Sequence, residues 1–221
     1  MWDVGTGEGN RTARLSGMNI SQELQNLLNA NDFDSANEMK LVVGNTGMGN
    51  YKELKRYDRY IGLRCVPELS MIEIDHMGAE FGAIVTISEV IESLRKNDDG
   101  GSPSRGGDVL KNIANHMEKV ASEFIRNTAS IGGNLVMAQR KCFPSDIATI
   151  LLAVDSEVDI MNGARSETIM LEDFLKRPPL DPKTVLLSVK IPNWEAVRKG
   201  SPETVAFQRF SCIFIMKITR E

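Results

Sequence analysis

Gly44-Asn45-Thr46-Gly47-Met48-Gly49 and Thr128-Ala129-Ser130-Ile131-Gly132-Gly133-Asn134 are two runs of glycine, asparagine and hydroxyl residues that lie most of a domain apart. Each reads as a loop set against an apolar, strand-like segment, which is Leu41-Val42-Val43 in the first case. Glycine lets backbone N–H groups turn toward a bound anion, and Asn, Thr and Ser add neutral donors. Two such loops can grip a diphosphate. Neither run contains Lys or Arg, so the expectation is an anion held by main-chain amides and side-chain dipoles from two separate lobes.

Stricter nucleotide motifs are not met. A dinucleotide fingerprint would need a third glycine three residues after Gly49, where Lys52 stands. Gly44 and Gly49 have P-loop spacing, but Asn50-Tyr51 replaces the required Lys-Ser/Thr. Taken singly, either run reads equally well as a tight turn needing positive φ. The pair is what points to a ligand.

Outward from the first run, Ile20, Leu24, Leu27 and Leu28 recur on one face of a helix capped by Asn19 or Ser21. Downstream, Tyr60 to Val66, Met71 to Asp75 and Glu80 to Val85 read as strands. Thr86-Ile87-Ser88-Glu89 has the form of a capping box, starting a helix through about Arg95. Helical spacing returns at Leu110, Ile113, Ala114 and Met117, before the second glycine run. Ser145 can cap a helix that buries Ile147, Ile150, Leu151 and Val154. Asn162-Gly163 signals a hairpin between Glu157–Met161 and Ala164–Met170, and Val185 to Ile191 is a last strand. Strands outnumber helices without strict alternation, which argues for an α+β fold.

The bulk chemistry removes several function classes. With 26 Lys and Arg against 30 acids, the net charge of −4 lacks the cationic excess that nucleic-acid binding requires. Cys65, Cys142 and Cys212 are odd in number and far apart, with no spacing that would hold zinc or an iron–sulfur cluster. His76 and His116 fall on different elements, so neither a metal site nor a two-histidine base is expected. No G-x-S-x-G elbow supports a hydrolase. The longest apolar run, Ile147 to Val154, is far short of a membrane span, and a cytoplasmic protein with no catalytic residue of its own is expected.

Lys40 to Gly47 and the block from Arg126 to Gln139 resemble the FAD-binding domain of the aldehyde oxidase and xanthine dehydrogenase family, most nearly its plant aldehyde oxidases. Tyr57-Asp58-Arg59-Tyr60-Ile61, Val66-Pro67-Glu68-Leu69-Ser70, Phe143 to Thr149 and Arg177-Pro178-Pro179-Leu180-Asp181 extend the resemblance over about residues 20–194. It implies the two-lobed flavin module shared with vanillyl-alcohol oxidase and p-cresol methylhydroxylase, with FAD extended between the lobes. By that resemblance Leu41, Val42, Val43, Gly44, Asn45, Thr46, Gly47 and Met48 wrap one part of the cofactor. Ser130, Ile131, Gly132, Gly133 and Asn134 approach the diphosphate, Asp146 contacts FAD, and Leu186 lies near the flavin ring. Residues 20–75 and 76–196 would be the two FAD-binding subdomains, 1–19 a loose leading segment and 197–221 the start of a following flavoprotein domain.

The resemblance has departures. Val120 replaces a phenylalanine that some xanthine dehydrogenases place against the cofactor, and Gln208 replaces a cofactor-contacting lysine. Family members pass electrons from a molybdopterin centre through iron–sulfur clusters to FAD, which gives them to oxygen or NAD. The cluster and molybdopterin domains are expected as partner domains or subunits, since this sequence carries neither. The alternative is a non-catalytic fragment that binds FAD weakly or not at all and associates with full-length subunits. A stand-alone reductase like the enolpyruvyl-glucosamine reductases shares the fold, but none of its added substrate-domain sequence is present.

Overall fold

The computed structural model describes residues 39–49, 57, 59–75, 77–96, 105–141, 143–163, 165–181 and 183–192. The helix expected near Ile20, together with His76, Cys142 and everything after Pro192, lies outside those residues. Two sheets organise the rest. β1 (Met39–Val42) pairs in parallel with β2 (Arg59–Gly62) to make a two-stranded sheet. The larger sheet contains β3 (Ile72–Asp75), β4 (Gly78–Gly82), β5 (Glu157–Asn162), β6 (Arg165–Met170) and β7 (Thr184–Pro192). Its order is β3-β4-β7-β5-β6, antiparallel throughout, so the last strand in sequence is the central one. The segment Ile72–Asp75, grouped with the first subdomain from sequence, pairs in this larger sheet.

Two short two-residue codes set local structure as expected. Thr86 and Glu89 form the reciprocal capping box: the Thr86 amide donates to Glu89 Oε2 at 2.8 Å and the Glu89 amide to Thr86 Oγ1 at 3.2 Å, which opens α1 (Ile87–Lys96). Gly163 takes φ +60 beside Asn162, and Asn162 pairs with Arg165 across the hairpin. The remaining helices are α2 (Arg105–Glu118), α3 (Glu123–Arg126), α4 (Ile131–Lys141), α5 (Asp146–Ala153) and α6 (Leu171–Lys176). Among the described residues no helix is long and apolar enough to cross a membrane.

β7 carries both faces of the packing because its side chains alternate. Leu186, Val189 and Ile191 join the main core with Phe81, Val158 and the apolar faces of the helices, including Val90, Ile113, Leu135, Leu151 and Phe174. Val185 and Leu187 point the other way and meet Leu63, Val66 and Leu69, with Leu41, Val43 and Ile61 packed beside them. A register shift between Asp159 and Ile160 lets the alternation change along the strand. The small sheet is thus fastened to one side of the large one by a second apolar cluster.

α4 was not foreseen, because its first residues read as a glycine loop. One buried polar side chain ties it to α6: Gln139 Nε2 donates to the Phe174 carbonyl at 2.9 Å, and its Oε1 accepts from the Leu180 amide at 3.2 Å. Gln139→Leu leaves the Leu180 amide without that acceptor and is expected to lower stability by about 2 kcal/mol, readable as a reduced urea midpoint.

A second polar cluster lies across the sheet. Lys190 Nζ is 2.7 Å from Asp159 Oδ2, and Asp159 also accepts from Thr168 and Ser188. The Ser188 hydroxyl reaches both Glu80 Oε1, at 2.8 Å, and Asp159 Oδ2, at 3.2 Å, yet has one proton to give. Burial pushes the Glu80 carboxyl above the ordinary range; Ser188 and Lys190 oppose the shift, while Asp159 and Glu73 add to it. A raised carboxyl pKa means the native state holds the proton more tightly than the unfolded chain. Its contribution is therefore full below the unfolded pKa and is lost as pH rises through the folded one. In denaturant titrations the stability of Glu80→Gln relative to the unaltered chain is expected to increase with pH above about 4.5. A flat difference would place the proton elsewhere.

Candidate functional site: the cleft between the glycine runs

The first run follows β1. Asn45 sits at φ +53, in the left-handed region that asparagine tolerates, and turns the chain into a 3-10 turn over Thr46–Gly49. The base of this bend is anchored by the Leu63 amide on the Val42 carbonyl at 2.9 Å and by Arg64 Nε on the Val43 carbonyl at 3.1 Å. At Gly44 the bend meets the second run. A Cβ built there would lie 2.1 Å from the Thr128 carbonyl oxygen, so the backbones touch only because the residue is glycine.

The second run is a helix start. It follows the short α3, whose N-cap Ser122 accepts from the Ile125 amide, and not a strand as its sequence suggested. An antiparallel bridge joins Ser130 to Thr86, with the Ile87 amide on the Ala129 carbonyl at 3.0 Å and the Ile131 amide on the Val85 carbonyl at 2.9 Å. α4 then begins, and Ser130 caps it by accepting from the Gly133 amide at 3.1 Å. Gly132 approaches the turn after β4 so closely that a Cβ would stand 2.6 Å from Ala83 Cβ and 2.8 Å from Leu186 Cδ2.

Internal bonds limit the main-chain donors that the second run can offer. The Gly132 amide is held by the Ala83 carbonyl at 3.0 Å and the Asn134 amide by the Ser130 carbonyl at 3.1 Å. With Ile131 and Gly133 also bonded, the main-chain donors from 131 to 134 are engaged within the protein. On this wall the groups left to meet an anion are side chains and the Ser130 amide, for which no protein partner is found among the described residues.

The two runs enclose one cleft of about 360 Å³. Val42, Val43, Gly44, Asn45, Thr46 and Gly47 line it from the small-sheet side, and Ser130, Gly133, Asn134 and Asp146 from the other. Ile131, Gly132 and Leu186 are buried in the core behind that second wall, and Leu41 packs against the second apolar cluster. The Met48 backbone belongs to the 3-10 turn.

Several lining residues were not singled out from sequence. Lys40 and Lys141 stand on the cleft walls, so the site is not free of cations as its loops suggested. Lys40 Nζ lies 5.5 Å over the Tyr57 ring, a cation–π contact that positions it. Strand alternation would have found Lys40, since it shares a face with Val42 and Gly44. Helical spacing would have found Met137 and Lys141, one and two turns beyond Gly133, had α4 been recognised. Ile87, Val120, Ile125 and Phe143 make the rest of the wall largely apolar. Val120 therefore contributes an aliphatic surface where the resemblance offered an aromatic one.

Hydroxyl, carboxamide and ammonium donors beside an apolar wall suit a dinucleotide, whose diphosphate needs donors and whose rings need apolar contact. The comparisons agree. Residues 18–194 match the family described as the FAD binding domain in molybdopterin dehydrogenase. Abscisic-aldehyde oxidase of Arabidopsis thaliana is 50% identical over 175 residues, which are 79% of this chain and 12% of that protein. An indole-3-acetaldehyde oxidase of Zea mays is 48% identical over 172 residues, 78% of this chain and 12% of that protein. The chain thus spans about an eighth of the length of these plant oxidases. Among solved structures, quinoline 2-oxidoreductase from Pseudomonas putida 86 superposes with a TM-score of 0.58 at 21% identity, covering 78% of this chain and 56% of that one. A carbon monoxide dehydrogenase from Hydrogenophaga pseudoflava gives the same TM-score and coverage at 19% identity. The chain belongs to the family described as the FAD binding domain in molybdopterin dehydrogenase, and plant aldehyde oxidases are among its relatives.

Proposed function

We propose that the chain holds FAD extended along this cleft, with the diphosphate between Thr46–Gly47 and Ser130–Asn134, as the flavin unit of a molybdenum-containing aldehyde oxidase. The observation that carries the reading is the contact of Gly44 with the Thr128 carbonyl, which brings two donor-bearing segments from opposite lobes onto one cleft. When bound, FAD supplies redox chemistry, taking electrons from a neighbouring centre and giving them to oxygen or NAD. The protein's part is to bind, orient and shield. Asn45 and the 3-10 turn present the Thr46 side chain, Ser130 and Asn134 supply donors, Lys40 and Lys141 supply positive charge, and Asp146 offers a carboxylate to a hydroxyl or amine donor. Iron–sulfur and molybdopterin domains or subunits are the proposed electron donors, and the cytoplasm the proposed location.

The direct test is a visible spectrum. Refolded with excess FAD and passed through gel filtration, the chain is expected to retain one flavin, bleach with dithionite and recover its colour in air. A folded protein that emerges colourless would refute the proposal.

A further inference from the structure

We infer that Ser145 is a positioning residue that turns the Asn134 NH2 group into the cleft, where it is aimed as a donor at a ligand oxygen. The inference rests on the cofactor reading of the cleft and goes one step further, to what sets the polarity of its wall.

Ser145 is buried, 6% exposed, and caps α5 by accepting from the Ala148 amide at 2.9 Å. The atom it meets on Asn134 is Oδ1, which carries no proton, so the hydroxyl proton of Ser145 is the one between them. A carboxamide whose oxygen is engaged has only N–H groups to offer on its other side, and Asn134 lines the cleft. Ser130 repeats the device one helical turn earlier. Its Oγ accepts from the Gly133 amide, which leaves its hydroxyl proton and one lone pair. Ser130 and Asn134, at spacing i, i+4, therefore present donors side by side. An oxyanion can take both of these donors, while the Asp146 carboxylate on the same wall is an acceptor for a ligand's own hydroxyl or amine.

Three substitutions separate the roles. Ser145→Thr keeps both the accepting oxygen and the proton. Ser145→Asp keeps the cap, since aspartate is a good N-cap acceptor, but has no proton for Asn134. Ser145→Ala removes both. Thermal midpoints are expected to fall for Ala and to hold for Thr and Asp.

In ligand-free protein, the Asn134 side-chain NH2 signal, assigned by its loss in Asn134→Asp, is expected to exchange rapidly with water in the unaltered chain and in Ser145→Thr. In Ser145→Asp it should move downfield and exchange slowly, because the NH2 turns away from the cleft onto the new carboxylate. FAD affinity should drop at least about tenfold in Ser145→Asp, where a buried charge adds to the lost orientation, and be kept in Ser145→Thr, so the exchange pattern is the readout specific to the orientation. An NH2 signal already protected in the unaltered chain, or an Asp variant with unchanged exchange and affinity, would overturn the inference. If the exchange pattern holds but the unaltered chain has no affinity for FAD, the Asn134 orientation stands and the cofactor reading of the cleft falls.

Discussion

Gly44→Ala is expected to weaken FAD binding by about ten- to a hundredfold, because the added carbon would sit 2.1 Å from the Thr128 carbonyl oxygen. That neighbour is backbone, so no side-chain rotation relieves the clash, and the two segments must part by an ångström or more. Both are fixed at their bases: the first by the Leu63 amide on Val42, the second by the Ala129–Ile87 and Ile131–Val85 bonds. The displacement therefore falls on the cleft. An overpacking cost of about 1–3 kcal/mol, borne by the geometry that receives the ligand, converts to the stated loss. Gly62→Ala provides the control, since nothing lies within 4 Å of a Cβ at that position. Flavin fluorescence quenching should separate the two variants, and equal affinities would show that the contact of the two runs does not shape the site.

Gly132→Ala is the second large effect, and its sign opposes helix propensity. In the first turn of α4, an alanine would by itself favour the helix by up to about 1 kcal/mol. At this position the new carbon meets Ala83 Cβ at 2.6 Å, the Ala83 carbonyl oxygen at 2.7 Å and Leu186 Cδ2 at 2.8 Å. Leu186 can give a little; the Ala83 backbone, which also receives the Gly132 amide, cannot without losing that bond. Overpacking at the junction of α4, the β4 turn and β7 is expected to outweigh the propensity gain, for a net loss of about 2 kcal/mol. Urea unfolding would register a lower midpoint at unchanged slope. A stabilised variant would mean that the close approach of α4 to Ala83 is not maintained in solution.

The same residue shows why the sequence was legible in some places and not in others. Features set by neighbours within three or four positions were readable: the Thr86–Glu89 box, the Ser145 cap of α5 and the Asn162-Gly163 hairpin. Gly132 and Gly133 were read as loop because glycine disfavours helix interiors, yet they stand in a helix because Ala83, Leu186 and the Ser130 hydroxyl, distant in sequence or folded back on it, leave no room for a side chain. β4 was expected to reach Val85 but stops at Gly82, where a Cβ would meet the Leu69 carbonyl oxygen at 2.1 Å. β2 likewise stops at Gly62, although Leu63 and Val66 beyond it are buried. Their apolar character serves the cluster beneath β7 and not a strand ladder.

The site was divided along the same line. Its two ends were visible as glycine runs, but the sharing of one cleft is a property of the contact between Gly44 and Thr128. Lys40 was hidden because it precedes the conspicuous run, and Lys141 because it lies on the part of α4 beyond the second run, which was not recognised as a helix. The assignment of hydrogen bonds was also beyond local reading. That the amides of 131–134 are engaged internally depends on Val85 and Ala83, some forty-five residues earlier in the chain.

A crystal structure of the chain grown with FAD tests the central claim most directly. The account predicts diphosphate oxygens between the two runs, within hydrogen-bond distance of Ser130 Oγ and Asn134 Nδ2, with an apolar part of the cofactor against Val120 and Ile125. A cofactor bound elsewhere, or a diphosphate whose neighbours on this wall are acceptors, would contradict it.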